Sequence, residues 1–214
     1  QLFLYQKINI HQQTFILHPC GVVFWEEKSL LLIADVHLGK VSHFRKHGSA
    51  VPAAAILKNF EQLDLVIHYF NPDSICFLGD LFHSYINTEW NIFNTWVSTQ
   101  FSKLILITGN HDIISEHKYQ ELGIITGTEL ILDSFLLTHH PDEREGLFNF
   151  CGHIHPGIRL QGLGKQSLKL PCFFHKPQQM IFPAFGTFTG IYVLEPEAAD
   201  KVYAMTDKEV ILVS

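Results

Sequence analysis

Three times in its first half the chain runs a few apolar residues in succession and then stops at a cluster of Asp, Asn, Gly and His: LLLIADVH (30–37), SICFLGDLFH (74–83) and LILITGNHD (104–112). An apolar run without alternation reads as a strand buried on both faces. Between these runs the period changes. Residues 50–70 repeat apolar positions at helical spacing (Ile56, Phe60, Leu63, Ile67), with Pro52 suited to a first turn. Residues 88–101 do so with Trp90, Phe93 and either Trp96 or Val97, aromatics that read as packing residues. This β-α-β-α-β rhythm predicts a parallel sheet whose functional side chains gather at the carboxyl ends of its strands.

The flanks read differently. Residues 2–10 and 14–17 predict an opening hairpin turning at 11–13, and 22–25 a third strand. After a short helix at 115–122, Gly and Pro punctuate a series of short strands: 129–132, 135–139, 147–151, 158–160, 167–170, 171–175, 179–182, 191–194, 201–205 and 209–213. No linker-like segment divides the chain, so the expectation is one domain over 1–214, α/β at first and mostly β later.

The strand ends carry the chemistry. Alternation along an extended chain points Asp35 and His37 to one side. Asp80 ends the second run and Asn110, His111 and Asp112 follow the third, while LLTHHP adds His139 and CGHIH adds His153 and His155. Asp35, His37, Asp80, Asn110, His139, His153 and His155 offer O and N donors without a thiolate, a set suited to two divalent ions such as Mn, Fe or Zn. One carboxylate must bridge if the ions lie about 3.5 to 4 Å apart, and such a pair suits hydrolysis of a phosphate ester. Alternation points His140 away from His139, which favours a place on the surface or behind the donors. His11, His18, His47, His68, His117 and His175 read as structural or solvated.

Three segments stay open. The loop GKVSHFRKHG (39–48) is either a solvated basic loop or an approach to an anionic substrate, with His43 and Arg45 the candidates for a phosphate oxygen. His83 is either a substrate contact or a polar loop residue. PAFGTFTG (183–190) is either a tight turn or a loop packed beside the metal site.

Composition sets limits. With 47% hydrophobic and 17% charged residues in 214, the chain can bury a sizeable core. No apolar run reaches the roughly 18 to 20 residues of a membrane span, and the first residues do not read as a signal peptide. Cys20, Cys76, Cys151 and Cys172 are widely spaced and read as buried free thiols in a reducing cytoplasm. A net charge of −6 gives no whole-molecule attraction to nucleic acid. Two bound divalent ions would nevertheless add about four positive charges at the site.

In order, DVH, GDLFH, GNHD, the lone His139 and GHIH resemble the five signature motifs of the calcineurin-like metallophosphoesterases. The resemblance implies an α/β fold (α+β by some schemes), a two-sheet β-sandwich flanked by helices. It implies a first metal on Asp35, His37, Asp80 and His155 and a second on Asp80, Asn110, His139 and His153, with a metal-bound hydroxide as nucleophile. His111 would face the substrate, and Asp112 would orient it through the other ring nitrogen. HLGK, FRKHG, THHP, GHIHPGIRL, LPCFF and PAFGTFTG are similar to the DNA-ligase-associated branch of that family. That implies a cytoplasmic nuclease or phosphodiesterase on single-stranded or damaged DNA, linked to a DNA ligase and a helicase. The alternatives are a phosphodiesterase or phosphatase of small cyclic or linear nucleotides, and a non-catalytic metal-bound scaffold.

Overall fold

The computed structural model describes residues 3–42, 55–162, 164, 166–186 and 189–214. Two β-sheets pack face to face, and helices cover the outer face of the first. The first sheet runs in sequence order: β1 (Gln6–Ile10), β2 (Gln13–His18), β3 (Val22–Trp25), β4 (Leu30–Ile33), β5 (Ser74–Leu78), β6 (Lys103–Ile107) and β7 (Ile125–Gly127). β1 to β4 are antiparallel neighbours, and β4 to β7 are parallel. The opening hairpin turns at His11 and Gln12, whose φ of 47° and 64° suit the twist of a two-residue turn.

Helices α1 (Ala55–Phe70), α2 (Thr88–Ser98) and α3 (Glu116–Glu121) lie wholly within the described residues and connect strands of this sheet. The first five positions of the expected first helix, 50–54, lie outside the described residues. The run in β4 is apolar throughout because both its faces are covered. Leu30 and Leu32 enter the core between the sheets, while Leu31 and Ile33 pack toward the helices with Phe60, Leu63, Phe93 and Trp96. The aromatics of α2 are packing residues, as expected, with Phe93 and Trp96 stacked at 5.9 Å between ring centroids.

The second sheet is built from β8 (Glu129–Leu132), β9 (Phe135–Thr138), β10 (Phe148–Cys151), β11 (Pro156–Gln161), β12 (Ser167–Lys176), β13 (Gln179–Ile181), β14 (Tyr192–Val193), β15 (Lys201–Met205) and β16 (Val210–Leu212). Its order is β14-β11-β12-β13-β10-β9-β8, with β15 and β16 joined beside β12. β9 and β10 are parallel, with Phe135 opposite Phe148, so their carboxyl ends leave at one edge. Phe15, Phe135, Phe148, Phe150 and Phe182 fill the space between the sheets, each fully buried ring worth about 1.5 to 3 kcal/mol.

Two expectations change. β12 is one strand through Pro171, where two were expected, because the proline marks a change of partner: residues 167–171 pair with β11, and later ones with β13 and β15. β7 was not expected, being three residues long and only partly buried. Cys76, Cys151 and Cys172 are buried and Cys20 half-buried, all as free thiols. Burial pushes Cys76 and Cys172 up to about 12 and Cys20 to about 11, so these are neutral thiols and poor metal ligands. Among the described residues no helix is long and apolar enough to cross a membrane.

Candidate metal centre

The loops that leave β4 and β5 continue side by side beyond the sheet. Asp35 N–H donates to Gly79 O (3.2 Å), His37 N–H to Asp80 O (2.9 Å) and His83 N–H to Leu38 O (2.9 Å). Contacts from the second sheet lock onto them. His139, just past β9, donates Nδ1–H to Leu78 O at 3.0 Å, and His153 N–H, past β10, donates to Asp35 Oδ2 at 2.9 Å. The carboxyl ends of strands from both sheets therefore converge on one place.

The side chains form two linked groups. In the first, Nε2 of His37 and His155 lie 3.4 Å apart, and His155 Nε2 lies 3.3 Å from Asp35 Oδ1. In the second, His139 Nε2 lies 2.9 Å from Asn110 Oδ1, 3.2 Å from His153 Nδ1 and 3.4 Å from Asp80 Oδ1. Donor atoms of Asp35, Asp80 and His139 all fall within 4.8 Å of one another, which joins the groups.

These residues fit divalent cations. The Leu78 carbonyl can only accept, so it fixes the hydrogen of a neutral His139 on Nδ1 and leaves Nε2 with a lone pair. That lone pair faces Asn110 Oδ1, His153 Nδ1 and Asp80 Oδ1 at hydrogen-bond distance. Neither Asn110 Oδ1 nor Asp80 Oδ1 carries a hydrogen, so lone pairs converge here, and a cation satisfies them. Asp35 Oδ1 is buried without a hydrogen-bond partner, an arrangement that costs free energy unless a charge meets it. Burial, aided by the Lys40 ammonium, pushes His37 down to about 2, so its imidazole stays neutral as a ligand must be.

The backbone is bent to this end. Asp35, His37, Asp80, His153 and His155 are left-handed, with φ of 54°, 53°, 51°, 68° and 53°. A non-glycine residue held there costs on the order of 1 to 3 kcal/mol and persists where its surroundings enforce it. Glycines make room: a Cβ on Gly79 would overlap His139 Nδ1, one on Gly109 would overlap Asp80 Oδ1, and one on Gly152 would overlap Asp35 Oδ2. The sequence carries this signal as a Gly directly before Asp80, Asn110 and His153.

The remaining candidates are distributed around this cluster. His111 is exposed, its backbone N–H donates to Asp80 Oδ1 at 2.9 Å, and its ring lies 4.3 Å from that of His83. His83 lies 5.3 Å from His37 by ring centroids, beside the first group. Asp112 departs from expectation. Its oxygens accept from Phe82 N–H (3.0 Å) and Gly109 N–H (2.8 Å), and no hydrogen bond joins it to the His111 ring. It ties the loops after β5 and β6 together, and burial raises its pKa to about 6. His140 is exposed, as its expected surface place requires, but it does not point away: its ring sits 4.1 Å from His153 and 4.8 Å from His139, because β9 ends at Thr138 and strand alternation ends with it. His43 and Arg45 lie outside the described residues.

Residues 183–186 settle beside the site, since Phe185 N–H donates to Ala34 O (2.9 Å) and Gly186 N–H to Asp35 O (3.1 Å). Glu89 was missed by sequence reasoning. It is 2% exposed, and its carboxylate accepts from Gly39 N–H (2.6 Å) and Ser42 N–H (2.9 Å), clamping the loop that leaves His37.

Comparison with known proteins follows the same lines. The chain is similar to a nuclease, MPE, from Pseudomonas putida, with a TM-score of 0.81 and 28% identity over 98% of this chain and 100% of that one. It is more distantly similar to Yfce, a phosphoesterase from E. coli (TM-score 0.42, 15% identity, 86% and 97% covered). A protein of unknown function from Aquifex aeolicus gives a TM-score of 0.41 at 17% identity, with 59% and 78% covered. No curated protein sequence matches. A family model, calcineurin-like phosphoesterase, matches residues 28–171, more than half of the chain. The protein therefore belongs to the calcineurin-like phosphoesterases and is a metal-dependent hydrolase of phosphate esters.

Proposed function

We propose that the chain acts as one domain over 1–214 and hydrolyses phosphodiesters of single-stranded or damaged DNA at a two-cation centre. The observation that carries this reading is the convergence of lone pairs on His139 Nε2, beside the buried Asp35 Oδ1, which has His155 Nε2 at 3.3 Å but no hydrogen bond. Asp35, His37, Asp80 and His155 would hold one cation, and Asp80, Asn110, His139 and His153 the other, with Asp80 shared and Mn²⁺ the favoured ion over Fe or Zn. Such a pair neutralises phosphoryl charge and makes a nucleophile from water near neutral pH. The chain's own residues do the rest. His111, exposed at the rim and held by its N–H to Asp80, donates a proton to the departing ester oxygen. Asp112 keeps the Asp80 and Asn110 loops in register through two backbone N–H groups. The likeness to a bacterial nuclease supports the choice of a nucleic-acid substrate. From the family resemblance we infer a cytoplasmic setting and a functional link to a DNA ligase and a helicase.

Elemental analysis of protein purified without chelator tests the centre. Two equivalents of transition metal are expected, with at most one in Asp80→Asn. Hydrolysis of a single-stranded oligonucleotide and of a 2′,3′-cyclic nucleotide with added Mn²⁺ tests the substrate, and faster cleavage of the cyclic nucleotide would sink the nuclease reading. An Asp80→Asn protein that keeps both metals would sink the shared-carboxylate assignment.

A further inference from the structure

A cavity of about 360 Å³ opens beside the first donor group, with His155 and Gly186 in its wall. Volumes near 300 Å³ and above are those of small-molecule sites. Its lining is mixed. Ile191 and Pro156 offer apolar surface, and Ile191 is seated there because Gly157 has no Cβ, which would otherwise overlap Ile191 Cγ2. Gln62 also lines it. Its amide nitrogen is committed to Cys20 O at 3.1 Å, which fixes the side chain and leaves its oxygen free to accept. Thr189 is also in its wall, and its Oγ1 is buried with no hydrogen-bond partner. Exposed Lys58 sits at the same cavity.

We propose that this cavity is a nucleoside subsite, which seats the base and sugar attached to the phosphate held at the two donor groups. The proposal rests on the phosphodiesterase reading above and names the part of the substrate that binds beyond the phosphate. A flat, apolar-faced base with polar edges matches the lining: Ile191 and Pro156 meet its face, and Gln62 Oε1 and Thr189 Oγ1 meet its edges. Lys58 supplies a cation for the next phosphate along the strand. Because the cavity begins at His155, a nucleoside there stays connected to a phosphate at the cluster.

Titration calorimetry of the Mn²⁺-loaded protein with the methylene phosphonate analogue of thymidine 5′-monophosphate, which has no ester bond to hydrolyse, and separately with inorganic phosphate, tests this without turnover. The analogue is expected to bind about tenfold tighter than phosphate or better, since contacts worth about 1.4 kcal/mol give that factor. Ile191→Trp fills the cavity from a partly exposed position and should bring the two affinities within about threefold. Gln62→Ala, which adds no bulk, should reduce the preference in the same direction and stands in if the tryptophan variant does not fold. Equal affinities in the unaltered protein, or a preference kept in both variants, would overturn the subsite. Failure of the functional reading shows elsewhere, as metal content below two equivalents and no diester hydrolysis.

Discussion

His139 and His37 occupy corresponding places in the two donor groups, yet they are held by different means. His139 donates Nδ1–H to the Leu78 carbonyl, which fixes its tautomer and aims Nε2. His37 has a buried Nδ1 with no hydrogen-bond partner, and its ring is placed by its backbone bond to Asp80 and by the loop it belongs to. That loop is clamped from outside by Glu89. One imidazole is oriented by its own hydrogen bond, the other by the backbone that carries it. Outer partners of this kind change metal affinity by about 10 to 100-fold, so the group around His139 should retain its cation more tightly.

Removing one histidine from each group is the hardest test of that difference. His139→Ala and His155→Ala should each cut diester hydrolysis by about 10²-fold or more, a loss of the size seen when one charge-stabilising group is deleted. The metal retained should differ. His155→Ala is expected to keep about one equivalent after a brief chelator wash, held by Asp80, Asn110, His139 and His153. His139→Ala should keep less, because the better-oriented group is the one destroyed. Equal retention in the two variants would remove the distinction drawn between the groups.

A gentler perturbation leaves every ligand in place. Gly79 has φ of 83°, and a Cβ there overlaps His139 Nδ1, so Gly79→Ala should break the bond to Leu78 O without deleting a donor. Loss of such an outer partner predicts a drop of about 10 to 100-fold in metal affinity, accompanied by about 1 to 3 kcal/mol of destabilisation from the left-handed alanine. Metal titration and urea unfolding read the two effects separately. Full metal affinity in this variant would mean that ring orientation at His139 is set by packing alone.

Glu89→Gln makes the matching change on the other side. The amide presents hydrogens to Gly39 or Ser42 N–H where the carboxylate accepted from both. Leaving a buried donor unsatisfied costs about 1 to 3 kcal/mol. The expected signature is selective: affinity for the first equivalent of metal holds, while that for the second falls. A uniform fall in both would place Glu89 in general stability and not in the positioning of His37.

The candidate donors were legible because of how a parallel strand is buried. β4, β5 and β6 must be apolar on both faces, so the first polar residue after each marks the edge where the sheet stops and the site begins. Asp35 and Asp80 stand there, and after β6 Asn110 follows two residues beyond Thr108. What could not be read are the partners supplied by distant backbone. Glu89 bonds to amides 50 and 47 residues away, and Asp112 bonds to Phe82, 30 residues away. Nothing local in the chain announces either pairing. His140 escaped for a related reason, since alternation governs side chains only within a strand, and β9 had already ended.

The smallest expected effect separates His37 from another histidine with one bare nitrogen. His18 is fully buried, its Nδ1 accepts from Cys20 N–H at 3.2 Å, and Nε2 has no hydrogen-bond partner. The rings of Phe3, Tyr69 and Phe70 surround it at 4.6, 5.1 and 5.5 Å between centroids. Among the described residues no donor group converges there, so this bare nitrogen belongs to a core ring, whereas His37 sits in the first candidate donor group. Burial pushes His18 down to about 4 from an ordinary 6.5. Above pH 6.5 the ring is neutral in both folded and unfolded chains and contributes nothing to pH dependence. Between 6.5 and 4 the unfolded chain takes up a proton that the folded chain refuses, so stability falls as pH falls. From pH 7 to pH 5 the loss attributable to this ring is about 2 kcal/mol. Urea unfolding at the two pH values, compared between the unaltered protein and His18→Leu, isolates it. The leucine variant starts lower at pH 7, since Cys20 N–H loses its acceptor, but should lose about 2 kcal/mol less on acidification. An unchanged difference between the two pH values would mean that His18 takes up its proton in the folded state, and that the aromatic cage around it is open to water.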